Sequence, residues 1–314
     1  MTVSVVIPAF NSEKYIGEAI ESALAQTRPA DEILVADDAS TDGTAALAES
    51  YGAPVRVIRN STNAGPGTRR NQAVAQARGE LVAFLDADDR WTPEHLESLA
   101  GLLDRFPEAG FAVGAVRVFG DGAREERPFP ECDAAPANIF PQLMRMDGLW
   151  PTTAMVRRTA FEAAGGFSEI VEYSRGRRVQ VEDYDFFLRL ALRFPCVSSP
   201  VVTALYRMHP EQASVLLDQQ TLLAFKYRLR LVRGLENSSD GRQMLPIAVD
   251  RMQRAWEGHL REAWQKSNLT KVRAMVRWGR KQEWLKSACD YYRWRMFCPR
   301  SVWRLIESLR KRRG

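Results

Sequence analysis

Asp86, Asp88 and Asp89 place three carboxylates within four residues, directly after the apolar run Leu81 to Leu85. Carboxylates held so close repel one another and need neutralising. A hard divalent cation with oxygen ligands, Mg²⁺ or Mn²⁺, suits them best. The spacing alone is weak, since 17 aspartates among 314 residues yield an Asp-x-Asp pair by chance about once. Its weight comes from the other polar groups that follow apolar runs along the chain. Asn11 ends Ser4-Val-Val-Ile-Pro-Ala-Phe-Asn11, and Asp37-Asp38 opens Asp37-Asp-Ala-Ser-Thr-Asp-Gly-Thr44. Asn11 can bond a base or a ribose, and an Asp such as Asp38 can accept from the imide N–H of uracil. Asp42, beside Gly43 and Thr44, reads as a cap or turn residue. Asn63-Ala-Gly-Pro-Gly-Thr-Arg-Arg-Asn71 adds two glycines and two arginines ahead of a helix, whose N-terminus and Arg70 can face the same crevice. Farther on, Glu182-Asp-Tyr-Asp185 opens an amphipathic stretch. Neighbours on a helix diverge by about 100°, so only one of Glu182 and Asp183 can act as a base on one atom.

Bringing these groups together requires strands that end at one edge. Thr2 to Ile7, Glu32 to Ala36, Val55 to Ile58 and Leu81 to Leu85 are short strand-like runs. Between them lie helical patterns: Ser12 to Leu24, with Ile16, Ala19, Ile20, Ala23 and Leu24 on one face, then Thr44 to Ser50, Thr68 to Ala77 and Pro93 to Phe106. This alternation predicts an α/β fold with a Rossmann-like, mostly parallel, doubly wound sheet flanked by helices. Such sheets bind ligands at the carboxyl ends of their strands. A later strand is expected over Val201 to Tyr206. No GxxxxGK[ST] occurs, and the first strand runs into Pro8-Ala-Phe-Asn instead of GxGxxG, so neither a P-loop nor a dinucleotide fingerprint accounts for the fold.

At 314 residues and 45% apolar, the chain can bury a substantial core and has the composition of a soluble globular protein. No stretch approaches the roughly 18 uncharged apolar residues of a spanning helix, and the N-terminal run is too short for a signal peptide. Cys132, Cys196, Cys289 and Cys298 form no CxxC pair, which reads as reduced thiols and against a zinc site. The expected location is cytoplasmic, free or peripheral on the cytoplasmic face of a membrane. The net charge of +5 hides an asymmetry. Residues 251–314 carry 18 Lys and Arg against 5 Asp and Glu, a net of +13, which leaves −8 on the first 250 residues. The acidic part suits a cation or a polar substrate, and the basic part suits phosphate. In Val302-Trp-Arg-Leu-Ile-Glu-Ser-Leu-Arg310, the apolar Val302, Leu305, Ile306 and Leu309 share one helical face. That pattern fits either an interfacial helix on an anionic leaflet or a helix packed on the rest of the protein.

Taken together, SVVIPAFN, DDASTDGT, NAGPGTRRN leading to FLDADD, the Gly165-Gly-Phe segment and EDYDFFLRLA resemble the family 2 glycosyltransferases of the GT-A fold, over about residues 1–210. The resemblance implies transfer of a sugar from a nucleotide diphosphate donor, UDP by preference, to a hydroxyl acceptor with inversion at the anomeric carbon and the help of Mn²⁺ or Mg²⁺. It implies a nucleoside pocket lined by Pro8, Ala9, Asn11 and Asp38. Asp88 would coordinate the metal and Asp86 would reach the ribose or, through water, the metal. Asp183 would be the catalytic base. His209, in Leu205-Tyr-Arg-Met-His209, would complete the metal or diphosphate shell, while Trp150 and the hydroxyls of Thr152 and Thr153, with Glu182, would lie on the acceptor side. Two positions depart from the family pattern: Ala39, where Gly is more usual, and Phe186-Phe187, where Leu-Trp is.

The organisation expected is a catalytic domain over 1–212, with a nucleotide-binding half (1–106) and an acceptor-binding half (107–212), followed by a basic helical region over 213–314. The partners expected are a nucleotide sugar, a glycan or lipid-linked acceptor for surface polysaccharide or glycolipid synthesis, and an anionic membrane contacted through 251–314. A nucleic-acid-binding protein would explain the basic tail but would leave the acidic triplet without a purpose, so no nucleic acid is expected. A Mg²⁺-dependent phosphatase with an Asp nucleophile would use Asp86 and Asp88, but would leave Asp37-Asp38 and Glu182-Asp183 unexplained.

Overall fold

The computed structural model describes residues 1–120, 126–127, 135–143, 149–169, 172–174, 177–179, 182–210, 239–265 and 269–280. The amphipathic segment Val302 to Arg310 lies outside them. The chain divides into two compact units, Met1–Tyr227 and Arg228–Gly314.

The first unit begins with four βα steps. Strand β1 (Val3–Ala9) is buried along its whole length, as a β-branched run in a doubly covered sheet must be. It is followed by helix α1 (Ile16–Leu24), which buries Ile16, Ala19, Ile20 and Ala23 at helical spacing. Next come β2 (Glu32–Asp37), α2 (Thr44–Ser50), β3 (Val55–Arg59), α3 (Pro66–Gln76), β4 (Leu81–Phe84), β5 (Arg90–Trp91) and α4 (His95–Arg105). Pro66 stands in the first turn of α3, where its missing N–H costs nothing. The remaining elements of this unit are β6 (Phe111–Gly120), β7 (Glu126–Arg127), α5 (Phe140–Leu143), β8 (Ala154–Arg157), α6 (Arg158–Ala164), β9 (Glu172–Ser174), β10 (Arg177–Val179), α7 (Glu182–Arg193) and β11 (Cys196–Met208).

The main sheet runs β3-β2-β1-β4-β8-β6-β11-β5, with β7 beside β6. Its first four strands are parallel, and β1 pairs with both β2 and β4. The chain winds away from β1 through β2 and β3, then returns to the other side of β1 as β4. That reversal opens a crevice at the carboxyl ends of β1 and β4, where Asn11 and Asp86 emerge. Strand β8 lies antiparallel to both β4 and β6, so the sheet as a whole is mixed. The β11 strand is longer than the run Val201 to Tyr206. It pairs in parallel with β6, and Leu205 and Ala204 stand opposite Arg90 and Trp91 of β5. This pairing carries the end of β11 to the acidic loop.

Phe84 of β4, Phe161 of α6 and Phe167 meet Phe186 of α7, with Phe167 and Phe186 ring centroids 4.3 Å apart. Phe186 and Phe187 are both fully buried. Each such ring contributes about 1.5–3 kcal/mol by burial, so this cluster fixes the start of α7 beneath the sheet edge.

In the second unit, α8 (Ser239–Gln265) and α9 (Leu269–Gly279) contact one another. Met252, Trp256, Leu260 and Ala263 of α8 are buried, as are Val272, Met275 and Val276 of α9. No helix among the described residues is long and apolar enough to cross a membrane.

Candidate active site

The loop after β1 starts from Pro8 and Ala9, both buried. Phe10 follows with 47% of its surface exposed, and Asn11 adopts a left-handed backbone with φ 48°, which Asn tolerates better than most residues. The Asn11 side-chain oxygen accepts from the Thr41 N–H at 2.8 Å, and its own N–H donates to Ser40 Oγ at 3.0 Å. Asn11 therefore ties the β1 and β2 loops together. Asp38 is 3% exposed, and both its oxygens are taken. They accept from the Ala64 N–H (2.7 Å), the Gly65 N–H (2.7 Å) and Arg69 Nε (2.6 Å). The expected bond from Asp38 to a base is thus not available. Asp38 instead holds the loop before α3, where Gly65 has φ 92°. Its neighbour Asp37 accepts from the Ser40 N–H through Oδ2, while Oδ1 is buried with no hydrogen-bond partner.

After β4, the acidic residues turn three different ways. Asp86 Oδ1 accepts from Arg70 Nη2 at 2.5 Å. Asp88 is half-buried and points Oδ2 at His209 Nε2, 3.0 Å away. Asp89 is 1% exposed and accepts the Arg207 N–H at 2.8 Å, so it faces the interior instead of a ligand. Burial, reinforced by the neighbouring carboxylates, raises the pKa of Asp88 and raises that of Asp89 well above the usual carboxylate range. Repulsion within the triplet is therefore relieved by divergence as well as by His209 and Arg70.

Arg70 is the centre of a buried bridge. It is 3% exposed, and Nη1 donates to Glu182 Oε1 at 3.0 Å while Nη2 holds Asp86. Its burial would favour loss of the proton, but Asp86 and Glu182 outweigh that and raise its pKa further. Two expectations change here. Arg70, expected on the donor side, is buried and gives one N–H from each terminal nitrogen to a carboxylate, Glu182 and Asp86. Glu182, 7% exposed and paired with Arg70, does not face an acceptor. Close approach of α3 to α7 makes the bridge possible: a Cβ on Gly67 would stand 2.7 Å from Glu182 Cγ.

With Glu182 committed inward, Asp183 is the carboxylate of this pair left for chemistry. It accepts the Tyr184 N–H at 2.7 Å and remains half-buried. Burial, then the Glu182 charge, raise its pKa to about 7, against the opposing pull of Arg70. A carboxyl so placed is matched to taking a proton near neutral pH. Trp150, expected to meet an acceptor, is half-buried with its ring 5.3 Å from that of Tyr206. Thr152 and Thr153 are interior, with the Thr152 carbonyl accepting from Trp91 Nε1 at 2.7 Å. Their hydroxyls are not offered to an acceptor.

Among the described residues, no three His, Cys, Asp or Glu side chains gather closely enough to hold a metal ion by themselves. Asp86 faces Arg70, so the protein donors that converge are Asp88 and His209. The Asp88 carboxylate fits Mg²⁺ or Mn²⁺, and the imidazole nitrogen beside it suits Mn²⁺ better than Mg²⁺. Mg²⁺ in particular commonly takes one or two protein ligands and completes its shell with substrate phosphates and water.

The sequence reading gave no role to four residues near the crevice: Phe10, Asp37, Arg207 and Tyr15. Phe10 had a visible signal, a large apolar residue just past a strand that ends in the crevice. Asp37 was legible as a strand-end carboxylate. Arg207 lies in the Leu205-Tyr-Arg-Met-His209 segment quoted above, but its contacts with Tyr15 and the acidic loop cross the fold and leave no local signal.

The family model described as Glycosyl transferase family 2 matches residues 4–165, more than half of the chain. The chain belongs to glycosyl transferase family 2. It is 40% identical over 136 residues to the succinoglycan biosynthesis protein ExoO of Rhizobium meliloti, a match covering 42% of this chain and 38% of that protein. It is 42% identical over 109 residues to the poly(ribitol-phosphate) beta-N-acetylglucosaminyltransferase TarS of Staphylococcus aureus, covering 33% of this chain and 19% of TarS. The chain thus spans well under two thirds of these relatives. The crystal structure of S. aureus TarS 1–349 in complex with UDP-GlcNAc superposes with a TM-score of 0.66 at 22% identity, over 80% of this chain and 72% of that one. A mannosyltransferase from Pyrobaculum calidifontis in complex with GDP-Man and Mn²⁺ gives 0.55 at 20% identity, over 93% and 87%. The fold is α/β of the GT-A type.

Proposed function

We propose that the chain transfers a sugar from a nucleoside diphosphate sugar, with UDP as the nucleoside diphosphate, to a hydroxyl of a glycan or lipid-linked acceptor in cell-surface polysaccharide or glycolipid synthesis. The observation that carries this reading is the Asp86–Arg70–Glu182 bridge, which joins the acidic loop of β4 to the helix turn bearing Asp183. A donor-side carboxylate loop and a base of raised pKa are thereby held on one buried guanidinium. Family membership and the names of ExoO and TarS support the polysaccharide setting.

In the mechanism proposed, Phe10 offers its exposed ring to the face of the base. Asp88 and His209 would hold a divalent cation, which on binding supplies positive charge to the departing diphosphate. Asp183 removes the acceptor hydroxyl proton as that oxygen bonds to the anomeric carbon and the carbon–diphosphate bond breaks on the opposite face. A single displacement of this kind inverts the anomeric centre. The same reading places the protein at the cytoplasmic face of a membrane, with the basic helices of the second unit toward its anionic lipids.

Calorimetric titration of UDP, GDP and dTDP, with Mn²⁺ and then with EDTA, tests the donor side without knowledge of the acceptor. UDP binding that Mn²⁺ tightens strongly, with that gain lost in Asp88→Asn, is the expected result. Failure of all three nucleotides to bind the folded protein would overturn the reading, and metal-dependent binding of GDP or dTDP alone would overturn the choice of UDP.

A further inference from the structure

We propose that Arg207, near the end of β11, is a positioning residue that sets Asp88 against His209 for the metal-bound diphosphate. The inference rests on the donor-site reading above. Arg207 touches neither the Asp88 carboxylate nor the imidazole of His209 in any hydrogen bond described. It fixes what surrounds them. Its Nε donates to the main-chain carbonyl of Asp88 at 2.7 Å, and its own N–H donates to Asp89 Oδ1 at 2.8 Å. One residue thus grips the acidic loop at two successive positions, once by side chain and once by backbone.

The far side of the guanidinium is equally constrained. Nη2 donates to Glu18 Oε2 at 2.9 Å, and Glu18 is also held by Arg90 Nη1 at 2.9 Å. The guanidinium carbon lies 5.0 Å from the Tyr15 ring centroid and 4.7 Å from that of Phe119. Tyr15 in turn packs against the ring of His209, with centroids 4.7 Å apart. Arg207 therefore ties together four segments: the start of α1, the acidic loop after β4, the end of β6 at Phe119, and the end of β11 that carries His209 two residues later. The planar fork of arginine allows a donor at Nε, a donor at Nη2 and two stacked faces at once, and a lysine ammonium cannot reproduce that set. Groups that orient metal ligands without binding the metal typically govern its affinity by about 10- to 100-fold.

The test is calorimetry of UDP into the wild-type chain, Arg207→Lys and Glu18→Gln, each with Mn²⁺ and with EDTA, alongside thermal melts. The expected result is a Kd for UDP in Mn²⁺ that rises about 10- to 100-fold in Arg207→Lys. A smaller rise in the same direction is expected in Glu18→Gln, and the weak binding in EDTA is unchanged in both. Glu18→Gln keeps the test open should Arg207→Lys fail to fold. If wild type binds UDP with Mn²⁺ and both variants bind equally well, Arg207 is not a positioning residue, while the donor-site reading stands. Equal weakening with and without metal would also overturn the inference, since it would mean general damage to the fold. No nucleotide binding by wild type overturns the donor-site reading and this inference with it.

Discussion

Asp183 owes its raised pKa to where its side chain ends up and not to its place in the sequence. Burial and the adjacent Glu182 raise its pKa to about 7, and only its ionised form can accept a proton. Below that value kcat/KM should fall about tenfold per pH unit, with a plateau above it, measured as a pH–rate profile once an acceptor is in hand. Glu182→Gln removes the charge that raises the pKa and leaves Arg70 less balanced, so the acidic limb should move to lower pH. The linkage to stability has a definite sign. The folded state takes up this proton at a higher pH than the unfolded chain, so ionised Asp183 costs stability above about pH 7 and nothing below the usual carboxylate range. Asp183→Asn should accordingly show a larger urea-midpoint gain over wild type at pH 8 than at pH 4. Ala39 presents a separate tension, for it sits at φ 63°, a left-handed conformation that costs a residue with a Cβ about 1–2 kcal/mol. Replacement by glycine relieves that cost and gives back part of it as unfolded-chain entropy. Ala39→Gly should raise stability by about 0.5 kcal/mol, read from denaturant midpoints at unchanged m-value.

Helices α3 and α7 meet where Gly67 lets backbone approach side chain, and their contact sets the Arg70–Glu182 pair. A methyl group at position 67 would come 2.7 Å from Glu182 Cγ and must push the helices apart. Gly67→Ala should cost about 1–3 kcal/mol of stability, the range for an overpacked core. It should also lower kcat more than it raises KM for the donor, because the shift falls on the helix that carries Asp183, the base proposed above. Urea melts and steady-state kinetics on one preparation would separate the two effects. Strand β11 has the corresponding role at the acidic loop. Its pairing with β5 brings Arg207 and His209 to the acidic loop, so the carboxylates depend on a strand that follows them by more than a hundred residues.

Across the whole molecule, charge is divided between an acidic first part and a final 64 residues at +13. In α9, Arg273 and Arg277 are exposed, as is Arg280 just past its end, and residues 269–280 contain no acidic side chain. The buried Val272, Met275 and Val276 of that helix are committed to packing, so an attachment through α9 would be electrostatic and salt-sensitive. The full chain should co-sediment with vesicles rich in anionic lipid at low ionic strength, and not with neutral vesicles. Changing all three arginines to glutamine should weaken this binding by up to about 100-fold, at roughly 1 kcal/mol per basic residue. Sedimentation that ignores salt and lipid charge would count against an electrostatic contact.

The amino-acid sequence alone determined the α/β class and the strands that end in the crevice, and it singled out Asp86 and Asp88, with Asp183 and His209 added by the resemblance to a family. Those properties are written locally, in apolar runs of strand or helix period and in the polar residue that ends each one. What only the tertiary structure decided is which way each polar side chain turns. Asp38, Asp89, Glu182 and Arg70 looked from the sequence like groups that would meet or flank a ligand, and each is turned inward to a protein partner. Arg70 meets Glu182 across 112 residues, and Arg207 meets Asp89 across 118. A buried charge must find a partner or a proton, and whether that partner is a ligand or another side chain depends on packing between segments far apart in the chain, which no local pattern records.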